Sequence, residues 1–429
     1  MPESADIVVV GAGPAGLAAA LAAAQGGARV VLLDAAPAPG GQVWRARRGV
    51  AVEPVARARA ALAVAGVRLL AGTRVVMPLA DRELLVDGPD GALRWRWDRL
   101  VLATGARERL LAFPGWTLPG VFGAGGLQAL VKGGWPIAAR RVVVAGTGPL
   151  LLAAAATLRR EGARVAALAE EAPAWALVRF AATLARHPRQ GAQALRLGAQ
   201  LAGVAWQAGS RLLEAHGADR LEAVTLVDAD GRRRTIACDA LAASWGLVPQ
   251  LELAQALGCA IAPRFGADAI AVDARQATSV EGVFAAGECA GVAGVVSAGL
   301  QGRIAGAAVA GRAGGEPLRA LAREQAFAAA VASTFPPPAH WRDRLRDDTL
   351  VCRCEDVAWS ALRRCRDLRE AKLATRCGMG HCQGRLCHDT LVAATSWPRL
   401  PARLPLMPTA LGALLAIPSD TDPSSEETP

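Results

Sequence analysis

A chain of 429 residues with 52% hydrophobic and 4% aromatic residues has room for about three units of ordinary size and excludes general disorder. Its formal charge of +10 comes from Arg spread along the whole length, with no basic block interleaved with aromatics, and this excludes nucleic acid as a partner. Six of the nine Cys fall between Cys352 and Cys387, a grouping that in a cytosolic protein points to metal before disulfides.

The start, Met1 to Asp6, lacks a basic n-region and a cleavage site, so the chain is expected in the cytoplasm, at most peripheral to the inner membrane through a complex. The apolar stretch from Ile7 to Ala24 is nearly long enough to suggest a membrane span, but Gly11, Gly13, Pro14 and Gly16 interrupt it, and strand, turn and helix fit it better. Asp6–Val10 reads as a strand, and Gly11-Ala12-Gly13-Pro14-Ala15-Gly16 opens a helix to about Gln25. In this order Gly11 permits the tight turn, Gly13 lets the backbone approach a pyrophosphate, and Gly16 lets helix and strand pack closely. The helix N-terminus, with Pro14 and Ala15, then faces the anion. The next strand, Arg29–Leu33, ends in Asp34, placed to accept a hydrogen bond from a ribose hydroxyl.

Three later segments favour FAD over NAD at this first turn. Gly40-Gly41-Gln42 offers a second close backbone approach, Leu100–Ala106 is a buried strand ending at Thr104-Gly105, and Gly282–Glu288 ends a late strand at Gly287-Glu288 before a helix from about Gln301 to Ala310. They resemble the two-dinucleotide-domain flavoproteins of the glutathione reductase and thioredoxin reductase type, in which a late Gly-Asp pair holds the ribityl chain. Glu288 stands here in place of that Asp.

A second glycine-rich turn, Gly146-Thr147-Gly148-Pro149-Leu150-Leu151, lies between the strands Arg141–Ala145 and Arg164–Ala169. Leu151 fills the third glycine position, and Glu170 and Glu171 come one and two places later than the ribose-binding acid should. A bulky residue there separates helix from strand, and a shifted acid misses the ribose. Two readings are open: a second nucleotide site at Gly146, Gly148 and Glu170, or a domain kept for structure. Cys238, Cys259 and Cys289 are isolated, and His187, His216, His340, His381 and His388 lie outside every flavin motif, so neither a redox dithiol nor an acid–base dyad can be named.

Past a linker signalled by Phe335-Pro336-Pro337-Pro338, the chain carries Val351-Cys352-Arg353-Cys354-Glu355 and Gly378-Met379-Gly380-His381-Cys382-Gln383-Gly384-Arg385-Leu386-Cys387. Cys352 and Cys354, two apart on an extended segment, would project to one side, with Cys382 in a Gly-rich loop and Cys387 in the first turn of a helix. Four thiolates suit zinc or a [2Fe-2S] cluster, and beside a flavin a one-electron carrier has the clearer use. Cys365 and Cys377 are spares, Cys377 being able to compete as a ligand, and His381 and His388 read as loop and helix-surface residues.

With both halves in place, the chain resembles the FAD and [2Fe-2S] subunits of hydrogen cyanide synthase (B subunit), opine oxidase (A subunit) and D-hydroxyproline dehydrogenase (alpha subunit). Gly40 to Arg45, Gly146 to Leu151 and the two cysteine motifs carry the resemblance, and the cysteine module is similar to bacterioferritin-associated ferredoxin. The resemblance implies an α/β, two-dinucleotide-binding-domain flavoprotein with a small C-terminal [2Fe-2S] module. The expected parts are an FAD-binding domain in two pieces (1–115 and 251–334), an inserted second nucleotide domain (116–250), a linker (335–347), the cluster module (348–400) and a tail (401–429). It implies an electron-transfer subunit of a heteromeric dehydrogenase of amino acids, opines or related amines. Its expected partners are a second FAD-dependent, substrate-oxidising subunit, together with a small ferredoxin-like one. A stand-alone NAD(P)H-dependent reductase and a nucleotide-binding scaffold are the rival readings. Pro418 to Pro429, polar and acidic, reads as a disordered end.

Overall fold

The computed structural model describes residues 2–48, 50–312, 317–338 and 341–417; the expected disordered end lies outside them. The first body begins with β1 (Glu3–Val10), α1 (Pro14–Ala24), β2 (Val30–Asp34), α2 (Glu53–Val64) and β3 (Arg68–Ala71), then an antiparallel meander of β4 (Arg74–Leu79), β5 (Glu83–Gly88) and β6 (Gly91–Leu102). A short strand, β7 (Ala106–Glu108), leads out to the second body. There β8 (Val121–Gly123), α3 (Ala124–Lys132), β9 (Arg141–Thr147), α4 (Pro149–Arg160), β10 (Arg164–Glu170), α5 (Ala174–Leu184), α6 (Pro188–Gln200) and β11 (Trp206–Ala208) are followed by the hairpin strands β12 (Arg211–His216), β13 (Ala223–Val227) and β14 (Arg233–Ala237), and by β15 (Ala240–Trp245). The chain returns through β16 (Leu247–Pro249), antiparallel to β7, then runs through α7 (Glu252–Ala256), β17 (Ile261–Arg264), β18 (Ala267–Ile270), β19 (Val283–Ala285), α8 (Gly294–Val309) and α9 (Leu318–Thr334).

The first sheet runs β3-β2-β1-β6-β5-β4, with β19 beside the end of β6. Its parallel strands are buried on both faces, which explains why β1 and β2 read as continuous apolar runs and not as alternating ones. Strands β1, β2, β6 and β19 all end on one side, at Val10, Asp34, Leu102 and Ala285, so every loop that the sequence singled out for FAD meets there. Helix α8 starts at Gly294, earlier than the small residues suggested. Its glycines serve contact: a Cβ on Gly302 would overlap the carbonyl of Ala15, and one on Gly306 that of Ala19, so α8 lies directly against α1. The second sheet, in order β11-β10-β9-β15-β8, repeats the parallel plan.

The C-terminal module comprises β20 (Leu350–Cys352), β21 (Val357–Ala358), α10 (Trp359–Leu362), α11 (Leu368–Thr375) and α12 (Cys387–Thr395) around a small core that includes Val351, Leu362 and Leu391. It does not hang from a loose linker. Trp341, fully buried, donates from Nε1 to the Ala112 carbonyl at 2.7 Å, Thr390 accepts from the Ala112 amide at 2.9 Å, and Trp116 donates to the Leu350 carbonyl at 2.5 Å. The end of the chain also folds back: the Leu406 amide donates to the Val76 carbonyl, Leu406 joins the core of the first body, and α13 (Leu411–Leu414) comes after it. Among the described residues no helix is long and apolar enough to cross a membrane.

Candidate dinucleotide and cysteine sites

At the carboxyl ends of the first sheet lies a cleft of about 520 Å³, lined by Gly11, Gly13, Pro14, Ala15, Asp34, Gly41, Gln42, Thr104, Gly105, Gly287 and Glu288. Gly11 has φ +105°, and a Cβ there would overlap the Ala103 carbonyl; a Cβ on Gly16 would overlap the Gly11 carbonyl, so the helix meets the turn without a gap. Gly13 differs. Its backbone is ordinary (φ −75°, ψ −176°), and an added Cβ would meet only the Gly41 Cα, at 3.9 Å. The Gly13 and Gly41 backbones thus face each other and leave a cradle that any side chain would fill, which is what a pyrophosphate passing over a helix N-terminus requires. Asp34 closes one end and accepts hydrogen bonds from the Ala12 and Ala36 amides. At the other end the Gly287 amide donates to Gln301, and burial pushes the Glu288 carboxyl up. Thr104 is engaged in holding the connection between the bodies: its hydroxyl donates to the Gln250 carbonyl at 3.0 Å, and the Gln250 amide group donates back to the Thr104 carbonyl at 2.9 Å.

The second turn repeats the outline and differs in content. Strands β9 and β10 start in the register of β1 and β2, but a bulge between Val165 and Ala167 inserts one residue, and Gly146 comes opposite Glu170. The acid expected to fall out of place therefore stands at the strand end. Its carboxylate is consumed there, accepting from the Thr147 hydroxyl (2.6 Å), the Gly148 amide (2.9 Å) and the Ala172 amide (2.9 Å). Leu151, in the first turn of α4, is fully buried. Over the turn comes the segment read as a linker: Phe335 packs by the place a Gly148 Cβ would occupy, and its ring stands edge-on to Phe180 of α5 at 5.3 Å. Glu171 is taken as well. It holds Arg344 through two bonds of 2.6 and 2.8 Å and accepts from Trp245 Nε1 at 2.9 Å, while the Arg344 guanidinium lies over Trp341, 4.3 Å from its ring centre.

In the module five cysteines come together. The sulfurs of Cys352, Cys377 and Cys387 lie within 4.8 Å of one another, and Cys382 bonds both Cys387 and Cys354. Two expectations need correction. Cys352 ends β20, but Cys354 lies in the turn beyond it and is exposed, because the strand stops at Cys352 and Asp356 takes φ +49°. Cys377, held as a spare, is buried beside Cys352, delivered by the left-handed turn at Arg376 that ends α11. Cys387 opens α12, and Cys365, just past α10, stays apart, its thiol donating to the Ala361 carbonyl. Hydrogen bonds from the Cys377 and Cys387 thiols pull Cys352 down to about 2, and one from Cys387 pulls Cys382 to about 5. The clustered sulfurs form a donor set suited to iron or zinc. His388 is no surface residue; its ring lies where a Cβ on Gly378 or Gly384 would be, so it wedges the cysteine loop open.

Sequence reasoning missed Arg385. It stands between Cys382 and Cys387, yet its side chain lines the dinucleotide cleft, pairs with Glu252 at 3.1 Å and donates to the Leu406 carbonyl at 2.9 Å. Missed too was Arg107, which with Arg399 grips the buried Asp389 of α12 at 2.6 Å each. Burial raises the Asp389 carboxyl, but the two guanidinium groups outweigh it and hold the group below its usual range. For Arg385 the only trace in the sequence was its place between two cysteines; Arg107, in β7 between Ala106 and Glu108, left none.

Residues 5–314 match the family model described as pyridine nucleotide-disulphide oxidoreductase. The chain is 33% identical to the hydrogen cyanide synthase subunit HcnB of Pseudomonas protegens, over 99% of this chain and 100% of that protein. It is also 33% identical to the A subunit of the opine oxidase of Rhizobium meliloti, over 95% of this chain and 97% of the relative. Among solved structures, L-proline dehydrogenase from P. horikoshii superposes with a TM-score of 0.68 at 21% identity, covering 96% of this chain and 80% of that one, a likeness of fold.

Proposed function

Since the chain belongs to the pyridine nucleotide-disulphide oxidoreductase family and is an FAD-dependent oxidoreductase like its HcnB and opine oxidase relatives, we propose that it is the electron-transfer subunit of a complex oxidising amino acids, opines or related amines. FAD in the Gly13–Gly41 cradle would supply two-electron chemistry, and a [2Fe-2S] centre on the cysteines of the module would supply one-electron chemistry. Cys352, Cys354, Cys382 and Cys387 are the proposed ligands, with Cys377 as a fifth sulfur in reach.

One observation carries the reading. The loop that presents Cys382 and Cys387 also sends Arg385 into the wall of the FAD cleft, so the thiolates and the flavin site share a side chain. Arg385 ties the two together through Glu252 and the carbonyl of the buried Leu406. The three arginines that line the cleft are engaged by the chain itself, Arg385 with Glu252, Arg74 with Asp87 and Arg45 with Gln42, which leaves no free clamp for an amine substrate among the described residues. That suits oxidation on a partner flavoprotein carrying its own FAD, and a small ferredoxin-like protein is the further partner proposed. The filled second turn disfavours nicotinamide as the electron source.

The protein purified anaerobically should hold FAD, about two iron atoms and sulfide. Cys382→Ser should keep the FAD, lose the iron, and lose dye-linked amine dehydrogenation when produced with its partner flavoprotein. Stoichiometric zinc, or full activity of the complex without iron, would sink the relay.

A further inference from the structure

Between the first body and the module lies a second cavity of about 430 Å³, separated from the FAD cleft by Glu252, Arg385 and Leu406, which line both. Its walls are unequally charged. Two carboxylates are spent: Asp389 on Arg107 and Arg399, and Glu252 on Arg385. The third, Asp268, is exposed at the rim. Arg109, Lys372 and Arg403 also line the cavity, and none of them has a carboxylate partner among the described residues.

Arg109 is the informative one. Its guanidinium carries five N–H donors, cannot shed its charge, and makes one long side-chain bond, Nη1 to the Trp245 carbonyl at 3.4 Å. Burial lowers its affinity for the proton. Beside it, the Nε of Arg107 is buried without any partner. A half-desolvated cation with unused donors is costly unless an anion completes it, and planar guanidinium groups match oxyanions best.

We propose that this cavity binds a small organic oxyanion, a carboxylate or a phosphate ester, held by Arg109, with Lys372 and Arg403 also lining the cavity. The volume suits a small molecule. A site at this seam would let an anion sense, or set, the fit of the cysteine module against the flavin body. The inference stands apart from the relay reading, since these residues converge whichever metal the cysteines hold.

The full-length protein with its FAD is titrated calorimetrically with inorganic phosphate, succinate and chloride at constant ionic strength. Phosphate or succinate should bind and chloride should not; which of the two binds names the source of the oxyanion. Arg109→Gln should weaken binding about tenfold, Arg109→Lys less, and Lys372→Gln about threefold, whereas Arg220→Gln, exposed and not part of the cavity wall, should change nothing. Lys372 is only partly buried, so its variant tests the site even if Arg109→Gln does not fold. Equal binding of all three anions, or equal losses in Lys372→Gln and Arg220→Gln, would overturn the proposal.

Discussion

The two glycine-rich turns begin alike and end differently. Each follows a buried strand, opens a helix with a proline in its first turn, and faces an acid across the sheet, Asp34 in one and Glu170 in the other. At the first turn a cleft lies open and Asp34 borders it. At the second, the acid accepts three bonds from its own loop, the neighbouring Glu171 anchors Arg344, and Phe335 covers the glycine. Having the motif is thus not the same as having the site: both acids accept bonds from their own chain, and the outcome depends on whether the turn beside them stays open to a cleft or is covered by other side chains.

The sharpest way to break this comparison is to fill each turn. Gly13→Val should fold, because its backbone suits valine and its nearest neighbour leaves room, but the branched side chain would occupy the cradle. FAD affinity should fall by about a hundredfold or more, read as flavin content after gel filtration. Gly148→Ala strains a left-handed position (φ +102°), costing about 1–2 kcal/mol, yet should retain stoichiometric flavin. Flavin loss from the second variant, with retention in the first, would exchange the two sites.

Next in size is the cover itself. Trp341 is fully buried, stands edge-on to Trp245 at 4.8 Å, and carries the Arg344 guanidinium on its face. Trp341→Ala should cost about 3–5 kcal/mol in urea unfolding while leaving FAD bound. A loss below about 1 kcal/mol would mean that the segment lies over the second turn without holding it.

Much of the first site was legible because its requirements are local. Glycines, a helix start and a strand-end acid occur in fixed order, and the late Gly287-Glu288 pair needed only the parallel plan to bring it home. The bulge at Ala166 was not legible, since an extra residue in a strand has no side-chain signature and only pairing reveals it. The burial of Trp341 was hidden for a related reason: a proline run reads as a break, and nothing local says that the residues beyond it pack against Trp245, far back in the chain. Cys377 shows the same limit, because the left-handed turn at Arg376, not spacing, brings it to Cys352. Arg109 could not be found at all, since its meaning depends on carboxylates that other arginines have taken.

The smallest expected effect is the most exacting test of the contrast, the exchange of each acid for its amide. Asp34→Asn alters a group that borders the open cleft and should weaken FAD binding about tenfold, since a charged acceptor for a ribose hydroxyl becomes a neutral one. Glu170→Gln should not touch the flavin. It exchanges an acceptor for an NH₂ group that must face one of three donors, a loss of about 1–2 kcal/mol, and removes a buried charge, a gain of similar size. At neutral pH the two should nearly cancel. Burial, however, raises the Glu170 carboxyl above its ordinary value of 4.5, so the folded state binds this proton more tightly than the unfolded one. Stability from this group therefore rises as the pH falls through its folded pKa toward 4.5, and the Gln variant cannot share the gain. Melting temperatures measured from pH 7.5 to 5 should show the wild type gaining on Glu170→Gln as the buffer becomes more acidic. Parallel curves would mean that Glu170 is not desolvated, and that the second turn is open after all.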